Sequence, residues 1–116
     1  MRILSKIENS ILFIYVDTDL VLKNLRLEAE KLGVSGDRII PADYLPNADF
    51  IERCKVADLF LDTFPYNAGT TASDALWAGL PILTIQGRSF SSRMAGSILS
   101  SMGLSEMIAR SPSEYE

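Results

Sequence analysis

The segment from Asp58 to Pro81 constrains the fold of this chain more than any other part of it. Its apolar run Leu59–Leu61 ends at Asp62, a pattern typical of a strand that is covered on both faces. Tyr66–Gly69 has the composition of a turn, and Thr70–Thr71 follow it as the start of a helix. The segment therefore predicts a βα unit, and the helix N-terminus that opens it, with its N–H groups and positive dipole end, suits a phosphate.

The rest of the chain alternates between strand patterns and helix patterns. Apolar runs predict five short strands, at 11–16, 38–42, 58–63, 81–85 and 104–109. Helical spacing of apolar residues predicts helices at 22–32, 46–57 with Asn47 as its N-cap, 71–78 and 90–102, and a helix start at 112–116. Five βα units in series predict an α/β fold with a doubly wound, mostly parallel five-stranded sheet of Rossmann-like type.

Length and charge limit the possible functions. With 116 residues the chain is expected to be one domain, 1–116, and its unfinished last helix suggests a piece of a longer polypeptide. The net charge of −4 and the lack of a Lys/Arg run argue against nucleic acid or an anionic membrane as partner. The start of the chain does not resemble a secretory signal. The single Cys54 favours a reducing, cytoplasmic setting and a buried, structural thiol.

The chain has no histidine, so the commonest general base and the commonest metal ligand are both missing. Polar residues nevertheless follow the predicted strands: Asp17, Asp43, Asp62 and Gly87 lie at or just beyond their carboxyl ends. Ligands of doubly wound sheets bind at that edge. We therefore expect the functional site there.

The run Ala57–Pro81, ADLFLDTFPYNAGTTASDALWAGLP, resembles the C-terminal catalytic lobe of the O-linked N-acetylglucosamine transferase (SPINDLY-like) family. The similarity continues through Gly87, Phe90–Arg93 and the last residues, and extends more loosely back to Ile11. The resemblance implies a glycosyltransferase of the GT-B fold whose C-terminal lobe holds the UDP of a UDP-sugar without a metal ion or other cofactor. In that family an N-terminal lobe and a tetratricopeptide array bring the protein acceptor, and both are outside this chain.

The resemblance also implies a set of UDP-binding residues. Thr70 and Thr71 match the threonine pair at the diphosphate, with the Gly69 N–H beside them. Asp74 matches the carboxylate that binds the ribose hydroxyls, and Arg53 matches an arginine near the uracil. No residue is assigned a catalytic role.

Three positions depart from the family pattern. Gly69 and Phe50 stand where family members usually carry histidine, and Asn47 stands where a lysine contacts the ribose region. Each replacement removes a positive or donor group from a site that must hold a diphosphate. The departures favour an alternative in which the chain is a non-catalytic nucleotide-binding or scaffolding lobe.

Structural roles compete for several of these residues. Thr71 and Asp74 fit a capping box of their own helix, and Arg53 fits a solvated helix position. Asp62 is expected to organise the loop that follows its strand. Trp77, in mid-helix between Leu76 and Ala78, is expected in the core.

A receiver-type phosphorylation switch is a further alternative for a βα chain of this length. Asp17 and Asp19 would supply its acidic pair, Asp62 the phosphoacceptor and Thr84 the switch hydroxyl. The lysine that a receiver needs after its fifth strand is missing, since Arg110 begins that segment. The sequence therefore favours a UDP-binding lobe of a cytoplasmic transferase that moves N-acetylglucosamine, or a related sugar, to protein Ser/Thr.

Overall fold

The computed structural model describes all 116 residues, and strands and helices alternate along it as the sequence predicts. The strands are β1 (Leu12–Tyr15), β2 (Ile39–Ala42), β3 (Phe60–Leu61), β4 (Ile82–Ile85) and β5 (Ile108–Ala109). The α-helices are α1 (Arg2–Lys6), α2 (Asp19–Lys31), α3 (Asn47–Cys54), α4 (Thr70–Trp77), α5 (Met94–Ser101) and α6 (Pro112–Tyr115). None of these helices has the length and apolar character that crossing a bilayer requires. The chain divides into two compact units, Met1–Tyr44 and Leu45–Glu116, which we call unit 1 and unit 2.

Unit 1 is built on a parallel pair of strands, with Leu12 of β1 opposite Ile39 of β2. Helix α2 begins at the N-cap Thr18, whose hydroxyl accepts a hydrogen bond from the Val21 N–H. It ends as predicted before Gly33, which has a φ of +75°. The core of this unit consists of Leu4, Ala29, Val34 and Ile39.

Unit 2 contains a three-stranded sheet in the order β3-β4-β5, and both strand pairs are parallel. Phe60 is paired with Ile82, and Thr84 is paired with Ile108. The predicted α/β class with parallel strands is confirmed. The hydrogen bonds between strands do not form the single five-stranded sheet that the sequence predicts. They form one two-stranded sheet in unit 1 and one three-stranded sheet in unit 2.

Small residues bring α4 close to the core of unit 2. Ala72 and Ala75 are fully buried and pack with Cys54, Leu80 and Ile82. The expectation that Trp77 lies in the core is wrong, since its side chain is 85% exposed. In a helix of 3.6 residues per turn, Trp77 is about 200° from Ala75, so the two side chains leave opposite faces. Cys54 is buried, as predicted.

Candidate functional site

The predicted phosphate-binding helix start is accessible. Gly69 is the N-cap of α4, and both Thr70 and Thr71 are exposed as its first two residues. No side chain caps this helix. The carbonyl of the cap residue Gly69 accepts a hydrogen bond from the Ser73 N–H, one turn into the helix. The first N–H groups of a helix have no acceptor within the helix. Backbone donors, two hydroxyls and the positive end of the helix dipole therefore coincide at one point.

A buried carboxylate holds the turn that leads into α4. Asp62 is only 4% exposed, and its Oδ1 accepts a hydrogen bond of 2.8 Å from the Ala68 N–H. Its Oδ2 accepts one of 2.6 Å from the Thr84 hydroxyl on β4. The predicted role of Asp62 as a loop organiser is confirmed. A carboxylate so enclosed, with both oxygens bonded, is also poorly suited to be a phosphoacceptor, which argues against the receiver alternative.

Tyr115 extends this network from the far end of the chain. Its hydroxyl donates a 2.7 Å hydrogen bond to the Asp62 carbonyl oxygen. Burial, and then the negative charge of Asp62, raise the pKa of Tyr115 to about 12. The phenol is therefore neutral, and a donor, throughout the ordinary pH range. The sequence pattern gives no signal for this contact, because the two residues are far apart in the chain.

Asn67 joins the same turn to the loop that follows β4. Its side chain is 2% exposed, and its Nδ2 donates to the Thr63 carbonyl at 2.8 Å. Its backbone N–H donates to the Ser91 carbonyl at 2.9 Å. A buried asparagine that bridges two loops fixes both of them, whereas the sequence indicated only a turn residue at this position.

The loop after β4 is closed by its own serines. The Gly87 N–H donates to the Ser92 carbonyl at 2.8 Å, and Ser92 Oγ donates to the Ser89 carbonyl at 3.0 Å. A Cβ on Gly87 would lie 2.8 Å from the Ser92 Cβ, so the close approach of the two segments requires glycine. Arg93, to which the sequence assigned no role, donates to the Gly87 carbonyl at 3.4 Å.

The structure brings Asp74 together with the start of α3. Asp74 Oδ2 accepts a 2.7 Å hydrogen bond from Asn47 Nδ2. Two predictions are wrong here: Asn47 is not the N-cap, because Pro46 occupies that position, and the capping box of Thr71 and Asp74 does not form. The helix begins two residues earlier than that box requires, because its cap is Gly69 and not Thr71.

Arg53 lies on the same helix as Asn47, half-buried, with its guanidinium carbon 5.6 Å from the centre of the Phe50 ring. The pKa of the Cys54 thiol is raised, mainly because the thiol is buried. The positive charge of Arg53 lowers this pKa, and the negative charge of Asp74 raises it. Arg53 and Asp74 are thus within electrostatic reach of one thiol. The other two strand-end residues, Asp17 and Asp43, belong to unit 1.

All five residues proposed for UDP therefore belong to unit 2, on α3 and at the start of α4. The structure contains no group of three or more acidic or cysteine side chains arranged to hold a metal ion.

Comparison with known proteins identifies the family. The family model for glycosyl transferase family 41 matches residues 1–116. The chain belongs to glycosyl transferase family 41. This confirms the resemblance found in the sequence.

Individual members of family 41 are similar over almost the whole chain. The Arabidopsis thaliana protein SEC, named as a probable UDP-N-acetylglucosamine–peptide N-acetylglucosaminyltransferase, is 36% identical over 116 residues and 99% of this chain. The Caenorhabditis elegans UDP-N-acetylglucosamine–peptide N-acetylglucosaminyltransferase is 30% identical over 115 residues, again 99% of this chain. The family 41 chain described here spans only 12% of the first relative and 10% of the second.

A solved family structure has the same fold. A lysine-to-methionine mutant of the Thermobaculum terrenum O-GlcNAc transferase superposes with a TM-score of 0.92 at 30% identity. The match covers 98% of this chain and 22% of that one. It confirms the predicted fold class, a Rossmann-like α/β lobe of GT-B type.

Proposed function

We propose that this chain is the UDP-sugar-binding lobe of a glycosyltransferase that transfers N-acetylglucosamine, or a related sugar, to Ser or Thr of proteins. The observation that supports it most is the match of family 41 to residues 1–116. The donor, UDP-N-acetylglucosamine, and the peptide acceptor are inferred from the names of the relatives. The acceptor would bind through parts of the protein outside this chain, and the setting would be cytoplasmic.

The start of α4 would hold the diphosphate. The N–H groups of Gly69, Thr70 and Thr71 belong to a helix start that no side chain caps, where the dipole favours negative charge. The two exposed threonine hydroxyls would donate to phosphate oxygens. Because the turn before α4 is fixed by the buried Asp62, the donors would be in place before the ligand arrives.

Arg53 and Asp74 would recognise the nucleoside. The Asp74 carboxylate is acceptor-only and suits the two hydroxyls of a ribose. Arg53, which lies against the Phe50 ring, would contact the uracil. The roles of the two residues would be binding and orientation, and this lobe alone supplies no assigned catalytic group.

A titration with UDP tests the site. Backbone amide signals of Gly69, Thr70, Thr71 and Ala72 should move on addition of UDP, and should move less with UMP because it lacks the second phosphate. Thr70→Ala should weaken UDP by about 1–2 kcal/mol, the scale of a hydrogen bond to a charged acceptor. Ser73→Ala, in the same helix, is the control and should change UDP affinity little. Shifts that cluster around Asp17 or Gly87 instead would refute the helix-start site.

Metal independence is part of the proposal. The diphosphate charge would be met by helix N–H groups and hydroxyls rather than by a divalent ion. UDP affinity should therefore be the same in EDTA as in magnesium or manganese, measured by calorimetry. A tenfold loss in EDTA would show that this part of the proposal is wrong.

A non-catalytic lobe is the second candidate, and a specific observation favours it. Gly69, Phe50 and Asn47 replace two histidines and a lysine of the family pattern, so the site has fewer positive groups. If no amide moves at millimolar UDP, these replacements have abolished the site and the scaffolding function is correct.

A further inference from the structure

The hydrogen bond between Asn47 and Asp74 links two helices at the candidate site. Asn47 is the first residue of α3 and Asp74 is the fifth residue of α4, 27 positions later. The amide could have capped its own helix, as asparagine at a helix start often does. It instead donates to Asp74 Oδ2 at 2.7 Å. This hydrogen bond restricts the orientation of the Asp74 carboxylate.

The chemistry of the pair leaves Asp74 able to bind a second group. A carboxylate has about four lone-pair directions on its two oxygens. Asn47 Nδ2 occupies one of them on Oδ2, and Asp74 is only partly buried, so other directions remain for a ligand. Asparagine is neutral and adds no charge beside Asp74, whereas a lysine at position 47 would form an ion pair with it. An ionised carboxylate accepts hydrogen bonds and donates none, so Asp74, held through Oδ2, offers acceptors to a ligand.

We propose that Asn47 is a positioning residue, which holds the Asp74 carboxylate in the orientation that accepts hydrogen bonds from a vicinal diol, the ribose of the nucleotide. This inference rests on the proposed UDP site. It assigns to Asn47 a role different from that of the lysine it replaces: the amide serves diol recognition through Asp74 and adds no charge for the diphosphate.

The test compares three probes with the 116-residue chain: UDP, its 2′-deoxy analogue and inorganic pyrophosphate. Asn47→Ala should weaken UDP about tenfold, the effect of one hydrogen bond to a charged group, and should leave pyrophosphate unchanged. The preference for UDP over 2′-deoxy-UDP should fall with it. Asn47→Asp, which has the same shape but places two carboxylates together, should weaken UDP further. Asn24→Ala removes an exposed asparagine on α2 and is the matched control, with no effect on any probe.

Double substitution separates positioning from a structural role. In an Asp74→Ala background, Asn47→Ala should cause no further loss of UDP affinity, since its only effect passes through Asp74. Far-UV circular dichroism should be unchanged in every variant. If the unsubstituted chain binds pyrophosphate and UDP but Asn47→Ala weakens both equally, or neither, the inference about Asn47 is wrong while the UDP site stands. If the unsubstituted chain binds no UDP, the proposed function fails and this inference fails with it.

Discussion

At the scale of single residues, Asp62 is the side chain on which the turn before α4 depends. Its two oxygens connect the Ala68 N–H to the Thr84 hydroxyl inside unit 2. The sequence predicts Asp62 as a loop organiser, because it stands at the end of a strand and just before a turn. It does not predict the partners Thr84 and Tyr115, because they are distant in the chain and only the folded structure brings them to Asp62.

Thr84→Val should destabilise the fold by about 1–3 kcal/mol, because valine has nearly the same shape but leaves the buried Asp62 Oδ2 without its donor. Urea unfolding followed by far-UV circular dichroism measures the change. Ser101→Ala, which removes an exposed hydroxyl bonded within its own helix, is the control and should cost far less. Equal losses for the two variants would contradict the importance of the buried pair.

Tyr115 gives a dependence of stability on alkaline pH. Its pKa in the folded chain is about 12, above the ordinary value of 10.0, so the unfolded chain loses this proton first as pH rises. The stabilisation from this group is therefore fully present below pH 10 and is lost between pH 10 and about 12. Tyr115→Phe should be less stable than the unsubstituted chain at about pH 9, and the difference should narrow at about pH 11. Tyr44→Phe, at an exposed tyrosine, is the control, and an unchanged difference across this range would contradict the assignment.

At the scale of elements, the sequence predicts the strands and longer helices well but errs at their ends. Helix stops at Gly33 and Gly103 are found where predicted, because a positive φ there selects glycine. Helix α1 is not predicted, since it has five residues and only Leu4 is buried. Helix α4 begins at Thr70, one residue before the predicted start at Thr71. Its cap is Gly69, two residues before the Thr71 that a capping box would need, so no capping box forms. The local pattern does not distinguish which of Gly69, Thr70 and Thr71 becomes the cap.

Gly79 follows the C-cap Ala78 of α4, and its substitution tests whether a left-handed backbone at this position ends the helix. Its φ is +84°, and the Leu80 N–H closes the motif on the Ala75 carbonyl at 2.9 Å. Gly79→Ala should cost about 1–2 kcal/mol through the left-handed backbone alone, because no atom lies within 4 Å of the added Cβ. Gly79→Asn should cost less, since asparagine tolerates this conformation better. Thermal unfolding measures both, and an equal cost for the two would point to a cause other than backbone conformation.

At the scale of the whole molecule, the chain spans about a tenth of the length of the curated relatives that it matches. The family and the fold class are predicted from the sequence because the run Ala57–Pro81 is specific. The five residues proposed to bind UDP all belong to unit 2.

The 116-residue chain alone should not glycosylate a protein. Transfer requires donor, acceptor and nucleophile within about 3–3.5 Å of one another, and one lobe of a two-lobed cleft cannot align them. Incubation of the purified chain with UDP-N-acetylglucosamine and a Ser/Thr peptide, followed by mass spectrometry, should show no sustained product. Slow hydrolysis of the UDP-sugar is compatible with the prediction, whereas repeated peptide turnover would contradict it.

The exposed Trp77 has an optical consequence for all such measurements. It is the only tryptophan of the chain, and its indole is already in water in the folded state. Its fluorescence emission should be near that of a free indole, so unfolding should produce almost no red shift, and iodide should quench it efficiently. It stands seven residues, about 10 Å along the axis, from the start of α4. The emission wavelength of Trp77 therefore reports poorly on unfolding, but it should shift to the blue when a ligand or partner covers the C-terminal end of α4.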